Sequence, residues 1–220
     1  MRKIIKNVLV FSSYFVYEYI FIYLIIALGI KYNTFGYNQR VNCLLIINIV
    51  YIAFLIFMYR KELKKDIIDF KENYKNYLSK YISLYLLGVI LMGLSNVLLQ
   101  HITHLEMSGN ETAVRTLLKQ IPVYMVFTSI IYAPFVEEII FRKSIRNIIK
   151  NKYIFVIISG IIFGLLHISN YRDINEILMG IPYIIMGLDF AYIYYKTNNL
   201  FTTMMFHFCH NLILVLIQLL

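Results

Sequence analysis

Seven stretches of this 220-residue chain run for about 17 to 24 residues without a Lys or Arg, at positions 7–30, 41–59, 81–100, 122–141, 153–169, 176–195 and 200–220. A bilayer's hydrocarbon core is about 30 Å thick and takes roughly 20 apolar helical residues to cross. The stretches therefore predict an all-α, polytopic membrane protein with about seven transmembrane helices around a membrane-embedded active-site cavity. Composition agrees: 60% of residues are hydrophobic and 15% charged, where soluble domains carry close to a quarter charged. No polar, Pro-rich or Ser-rich linker separates the stretches, so residues 1–220 are read as a single integral membrane domain.

A net charge of +9 is compatible with nucleic acid, but the basic residues sit between the apolar stretches, where membrane topology accounts for them and no nucleic-acid partner is implied. With the N-terminus cytoplasmic, 16 of the 21 Lys and Arg fall on the inner side, before the first stretch, within 60–80, within 142–152 and at Lys196. Lys31, Arg40, Arg115, Lys119 and Arg172 fall outside. The positive-inside rule then puts the C-terminus outside, in what is expected to be a bacterial cell membrane. The first stretch follows Arg2, Lys3 and Lys6 like a signal peptide, yet it is too long and lacks a small-residue cleavage site, so it is read as a retained anchor. Residues 60–80 set Leu63, Ile67, Ile68 and Phe70 among lysines, the pattern of an interfacial helix on anionic lipid. Residues 101–120 form the longest polar outer segment, readable as a lid over a site or as a surface loop. Cys43 and Cys209 lie within apolar stretches and are read as reduced packing residues.

Ionisable side chains inside a membrane are costly and face a bundle interior or a wet cavity. The fourth stretch holds Glu137 and Glu138 with Arg142 following, the fifth ends near His167, and the seventh holds His207, His210 and Asn211. Glu138 and Arg142 stand one helical turn apart and can neutralise one another, whereas Glu137 projects about 100° away with no local partner. Pro134 is expected as a kink. Phe163 and His167 are also a turn apart, on a helix whose Gly160 and Gly164 permit close approach. His207 and Asn211 share one face. Residue 152, in a polar turn, is the midpoint between Glu137 and His167, so an antiparallel hairpin brings these two to one level. Taken singly, each group also reads as a structural ion pair or as hydrogen-bonded helix packing. Glu18, Glu176 and Asp189 are further acids of the kind a transporter's polar path uses, and Glu18 and Asp189 read better as bundle hydrogen-bonding residues.

In order along the chain, Glu137-Glu138-x-x-x-Arg142, Phe163-x-x-x-His167 and His207-x-x-x-Asn211 resemble the motifs of the CAAX-protease and bacteriocin-processing family, also called CPBP or Abi. The match covers about residues 122–215, which become the motif-bearing catalytic core. The resemblance implies an intramembrane endopeptidase acting on a hydrophobic, lipidated or membrane-proximal peptide. Glu137 and His167 would activate water, while His207 and Asn211 would hold the carbonyl oxygen. Arg142 and Glu138, with Phe163, would support them. A noncatalytic immunity or partner protein on the same scaffold is the alternative. The family is often called metalloprotease, and Glu137, His167 and His207 would be the ligands of a zinc ion. With no His-Glu-x-x-His helix, and with Asn211 better suited to an oxyanion than to zinc, catalysis without a cofactor is the favoured expectation.

Overall fold

The computed structural model describes residues 2–29 and 34–219. Ile30 and Leu220, the ends of two apolar stretches, and Lys31, counted among the outer basic residues, lie outside the described residues. All regular structure among the described residues is helical: α1 (Arg2–Ala27), α2 (Tyr37–Thr103), α3 (Gly109–Gln120), α4 (Pro122–Ile148), α5 (Lys152–Leu165), α6 (Ile174–Leu178), α7 (Ile181–Thr197) and α8 (Leu200–Leu219). Among the described residues, five segments are long and apolar enough to cross a membrane: Lys3–Ala27, α2, α4, Ile174–Thr197 and α8. The chain is an all-α polytopic membrane protein. Helix α5 is apolar as well, but its 14 residues reach only about 21 Å.

The difference from seven separate spans arises chiefly in α2, where the second and third stretches join through residues 60–80. That segment contains no Gly or Pro, so nothing in it breaks the backbone hydrogen-bond ladder. The expected interfacial helix is thus the middle of a 67-residue one. Helix α2 cannot be straight. At about 1.5 Å per residue it would be roughly 100 Å long. Yet Tyr37 Oη, at its start, reaches Gln120 Oε1 at 3.5 Å, and Gln120 ends a helix that begins six residues after Thr103. Those links allow no more than roughly 55 Å between the two ends. Helix α2 therefore bends back on itself.

Polar side chains gather about its middle. Asp66 Oδ2 accepts from Lys143 Nζ at 3.0 Å, and Asn199 Nδ2 lies 2.7 Å from the Asp66 carbonyl and 2.6 Å from Asp69 Oδ2. Lys6 Nζ lies 3.3 Å from Glu62 Oε1. Contacts from three basic stretches of the inner set, and from the turn that follows Lys196, thus converge on one end of the bundle. The turn between α7 and α8 is made by two asparagines: Asn198 takes the left-handed conformation at φ 47° that ends α7, and Asn199 Oδ1 accepts the Thr202 N–H at 3.2 Å to start α8.

Helices α5 and α7 meet backbone to backbone. A Cβ on Gly164 would stand 2.7 Å from the Ile184 nitrogen, and one on Gly187 would stand 2.7 Å from the Gly160 carbonyl. Phe141, Phe155, Phe163 and Tyr194 are buried together beside this seam. Close glycine packing of this kind is how membrane helices gain dispersion contact without a hydrophobic driving force.

Candidate active site

Helix α4 is not uniformly α-helical. Thr128–Tyr132 and Glu138–Ser144 are π-helical, so carbonyls there pair with the N–H five residues on. The Ala133 N–H bonds to the Thr128 carbonyl. Next in that series is Ser129, whose partner would be residue 134, and Pro134 has no N–H. The released Ser129 carbonyl instead accepts from Asn211 Nδ2 at 2.8 Å. Pro134, expected as a kink, thereby provides the anchor for an amide carried by α8.

The second π segment opens at Glu138. Its Oε2 lies 3.2 Å from Arg142 Nε, with both side chains fully buried. Arg142 Nη1 also donates to Ser159 Oγ at 2.8 Å, and its guanidinium lies 4.8 Å from the Phe163 ring centroid. Ser159 Oγ donates onward to the Phe141 carbonyl at 2.7 Å, which leaves its lone pairs for the arginine. The other oxygen of Glu138 meets His207 Nδ1 at 3.0 Å. Paired with Arg142, Glu138 is a carboxylate and can only accept, so the Nδ1 carries a proton. Phe190 stacks on the His207 ring at 5.1 Å and 26°. His207 Nε2 is left facing Glu137 Oε2 at 3.9 Å, too long for a hydrogen bond and open enough for a small guest to touch both.

His167 lies just past the end of α5, in the turn after Leu165. Its Nδ1 is 2.9 Å from the Phe163 carbonyl, the i to i+4 relation expected of that pair. A carbonyl only accepts, so this Nδ1 also carries a proton and Nε2 is the free position. Tyr183 stacks on the ring at 4.5 Å and 14°. Glu137, His167, His207 and Asn211 all line one cavity of about 590 Å³, together with Phe163 and His210. Glu138 and Arg142 stand behind it. At the far end α3 contributes Glu111 and Arg115, and Gln218 of α8 joins them. The polar segment 101–120 is thus largely a helix forming a cavity wall. Ser108 caps that helix by accepting the Glu111 N–H at 3.2 Å, and Glu176 accepts the Gly109 N–H at 3.0 and 3.1 Å. Glu176 therefore belongs to a helix end, where a carboxylate is favourable.

Two imidazoles and a carboxylate are donors that zinc accepts. Among the described residues, however, no three His, Cys, Asp or Glu side chains gather closely enough to hold a metal ion. The arrangement does not fit a closed three-ligand site. Four contributors had no sequence signal of their own: Ser129, Ser159, Tyr183 and Phe190. Each is a common residue in an apolar helix, and only three-dimensional register assigns it a partner.

Residues 119–213 match the family model described as type II CAAX prenyl endopeptidase Rce1-like. This segment is similar to the Rce1-like family. The Rce1-like segment runs from the end of α3 to just past Asn211, and it contains every residue of the Glu137, Glu138, Arg142, His167, His207 and Asn211 network. A Bacillus subtilis (strain 168) protein named "Putative membrane peptidase YdiL" is 32% identical over 115 residues, which are 51% of this chain and 44% of that protein. An uncharacterized protein of Mycoplasma capricolum subsp. capricolum is 32% identical over 96 residues, 43% of this chain and 27% of the relative. The chain thus spans less than half the length of the curated relatives it matches. No solved structure matches it. Helix α1 and all of α2 fall outside the Rce1-like segment.

Proposed function

We propose that this protein is an intramembrane endopeptidase that hydrolyses a peptide bond in a hydrophobic, lipidated or membrane-proximal peptide or protein. The observation that carries the reading is the facing of Glu137 and His207 across 3.9 Å, inside a cavity and with the far nitrogen of His207 already held by Glu138. Such a pair is held ready for chemistry at the near atoms, because Glu138 and the Phe190 stack fix the His207 ring from behind.

In this reading Glu137, as a carboxylate, takes a proton from a water that His167 Nε2 orients. The resulting hydroxide attacks the substrate carbonyl carbon, and the carbonyl π electrons move to oxygen. With Nδ1 committed to Glu138, His207 offers an N–H at Nε2 only as an imidazolium. This imidazolium N–H and the second amide N–H of Asn211, the first being bound to Ser129, hold the oxyanion. Collapse breaks the C–N bond, and Glu137 returns its proton to the leaving amine. Arg142 holds Glu138 in place. The similarity to the family model described as type II CAAX prenyl endopeptidase makes a lipidated C-terminal segment one candidate substrate. The basic end of the bundle is read as cytoplasmic, in a bacterial cell membrane, from the positive-inside count.

Membranes containing the wild type or Glu137→Gln provide the test. Mass spectrometry of retained peptides should find a fragment pair made by the wild type and absent from the variant. Identical peptide profiles from the two would remove the peptidase reading.

A further inference from the structure

Ahead of Glu137, α4 is gripped by α1 and α2, the two helices outside the Rce1-like segment. Tyr132 Oη, on a residue of the cavity wall, donates to Tyr17 Oη of α1 at 2.5 Å. Tyr17 Oη has two acceptors for its one proton, Glu18 Oε1 at 3.0 Å and Asn48 Oδ1 of α2 at 3.2 Å. Asn48, buried at 2% exposure, donates from Nδ2 to Tyr124 Oη at 3.2 Å, back on α4. The four groups make a loop that leaves α4 at Tyr132 and returns to it at Tyr124. Its centre is fixed from behind: Tyr51 stacks on the Tyr17 ring at 4.1 Å and 14°, and Ser13 Oγ meets Tyr51 Oη at 2.9 Å.

The two ends of the loop stand eight residues apart, and the π-helical turn Thr128–Tyr132 falls within that interval. A regular α-helix turns about 100° per residue, so side chains eight apart diverge by about 80°. A π turn takes up one extra residue. Tyr132 then stands where a seventh residue would, within about 20° of the direction of Tyr124. Both phenols therefore face one polar pair on α1 and α2 because the extra residue is in place. We propose that Tyr17 and Asn48 clamp α4 in this π register, and that they are thereby positioning residues for Asn211. The register decides where the Ser129 carbonyl goes. In α register it accepts the Ala133 N–H, four residues on. In π register Ala133 bonds to Thr128 instead, and Pro134 has no N–H to offer. Only then is the carbonyl free for Asn211 Nδ2 at 2.8 Å. The clamp and the proline are two separate conditions for one anchor. The part of this inference that concerns turnover rests on the peptidase reading; the clamp does not.

Tyr17→Phe tests it, because the variant keeps the ring on Tyr51 and cuts the loop at its centre. The first arm needs no substrate. A structure of the full chain carrying Tyr17→Phe should show the Ala133 N–H on the Ser129 carbonyl and Asn211 Nδ2 released. Retention of either the π turn or the Asn211 contact overturns the proposal whatever the protein's activity. In the second arm Tyr17→Phe is assayed beside wild type at matched folded concentration, with Tyr51→Phe, which loses only the Ser13 bond, as control. Tyr17→Phe should lose roughly ten- to a hundredfold in kcat with KM unchanged, the scale and pattern of a misplaced transition-state contact. Tyr51→Phe should match wild type. Wild-type kcat in Tyr17→Phe, a change confined to KM, or an equal loss in Tyr51→Phe overturns the positioning role. If Tyr17→Phe does not fold, Asn48→Leu is read by the same outcomes, and if the wild type cleaves no peptide the first arm alone decides.

Discussion

Asn211 Nδ2 and the Ser129 carbonyl are joined at 2.8 Å because Pro134 cannot supply the N–H that this carbonyl would otherwise receive. Pro134→Ala restores that N–H and sets it in competition with the Asn211 amide. Interior proline normally costs a helix about 3 kcal/mol, so thermal stability in detergent should rise or hold. Turnover should fall nonetheless, because the Asn211 amide loses its anchor. Thermal unfolding and peptide cleavage, measured on the same preparation, check whether the two quantities part in this way.

The two adjacent glutamates should separate by phenotype. Glu137→Gln keeps the shape of the side chain but removes the proton acceptor, so hydrolysis should be abolished with the fold intact. Glu138→Gln leaves Arg142 buried with its counter-charge gone, and breaking a buried pair typically costs about 3 to 5 kcal/mol. That variant should melt earlier and lose activity partly through the misplacement of His207. Equal activity of Glu137→Gln and wild type would return Glu137 to a structural role.

Ser159→Ala removes the hydroxyl that Arg142 Nη1 uses at 2.8 Å, and the main-chain oxygen of the same residue, at 3.4 Å, is a poor substitute. A loss of roughly 1 to 3 kcal/mol is expected for a buried donor left unmatched. Denaturation of the purified variant beside wild type measures it.

Much of this arrangement was legible because it is local. Glu138 with Arg142, and His167 with the Phe163 carbonyl, each sit four residues apart, and helical geometry alone makes them neighbours. The meeting of Glu137 with His207 is not local, and only the order of motifs on successive helices pointed to it. The π-helical register of α4 was invisible, so Pro134 read as a kink and the Ser129 carbonyl was not foreseen. Helix α2 escaped for a different reason: lysines mark an interface whether or not the helix continues through it, and hydropathy cannot detect an unbroken backbone.

Gly164→Ala should be poorly tolerated. Its new Cβ would stand 2.7 Å from a backbone nitrogen of α7, which cannot rotate aside as a side-chain tip can. Overpacking of this kind costs typically 1 to 3 kcal/mol. A lowered unfolding temperature is the expected readout, with Gly93→Ala, where a Cβ meets nothing within 4 Å, as the control.

Topology has its own test. A probe at Ser79→Cys, in the basic segment, should be shielded from an impermeant thiol reagent in intact cells and react once the cells are opened. Labelling in intact cells would reverse the assigned orientation.

The bend of α2 also sets the direction in which the bundle yields. At that end Asp66 is tied at once to Lys143 of α4 and to Asn199 of the turn between α7 and α8, with the ion pair itself largely buried. At the opposite end the cavity wall is α3, whose Glu111 is bound to Arg115 and to Gln218 by contacts partly open to solvent. One end is welded and the other is laced. A guest too large for the resting cavity is therefore expected to enter by spreading α3 from the tip of α8, with the welded end as the pivot.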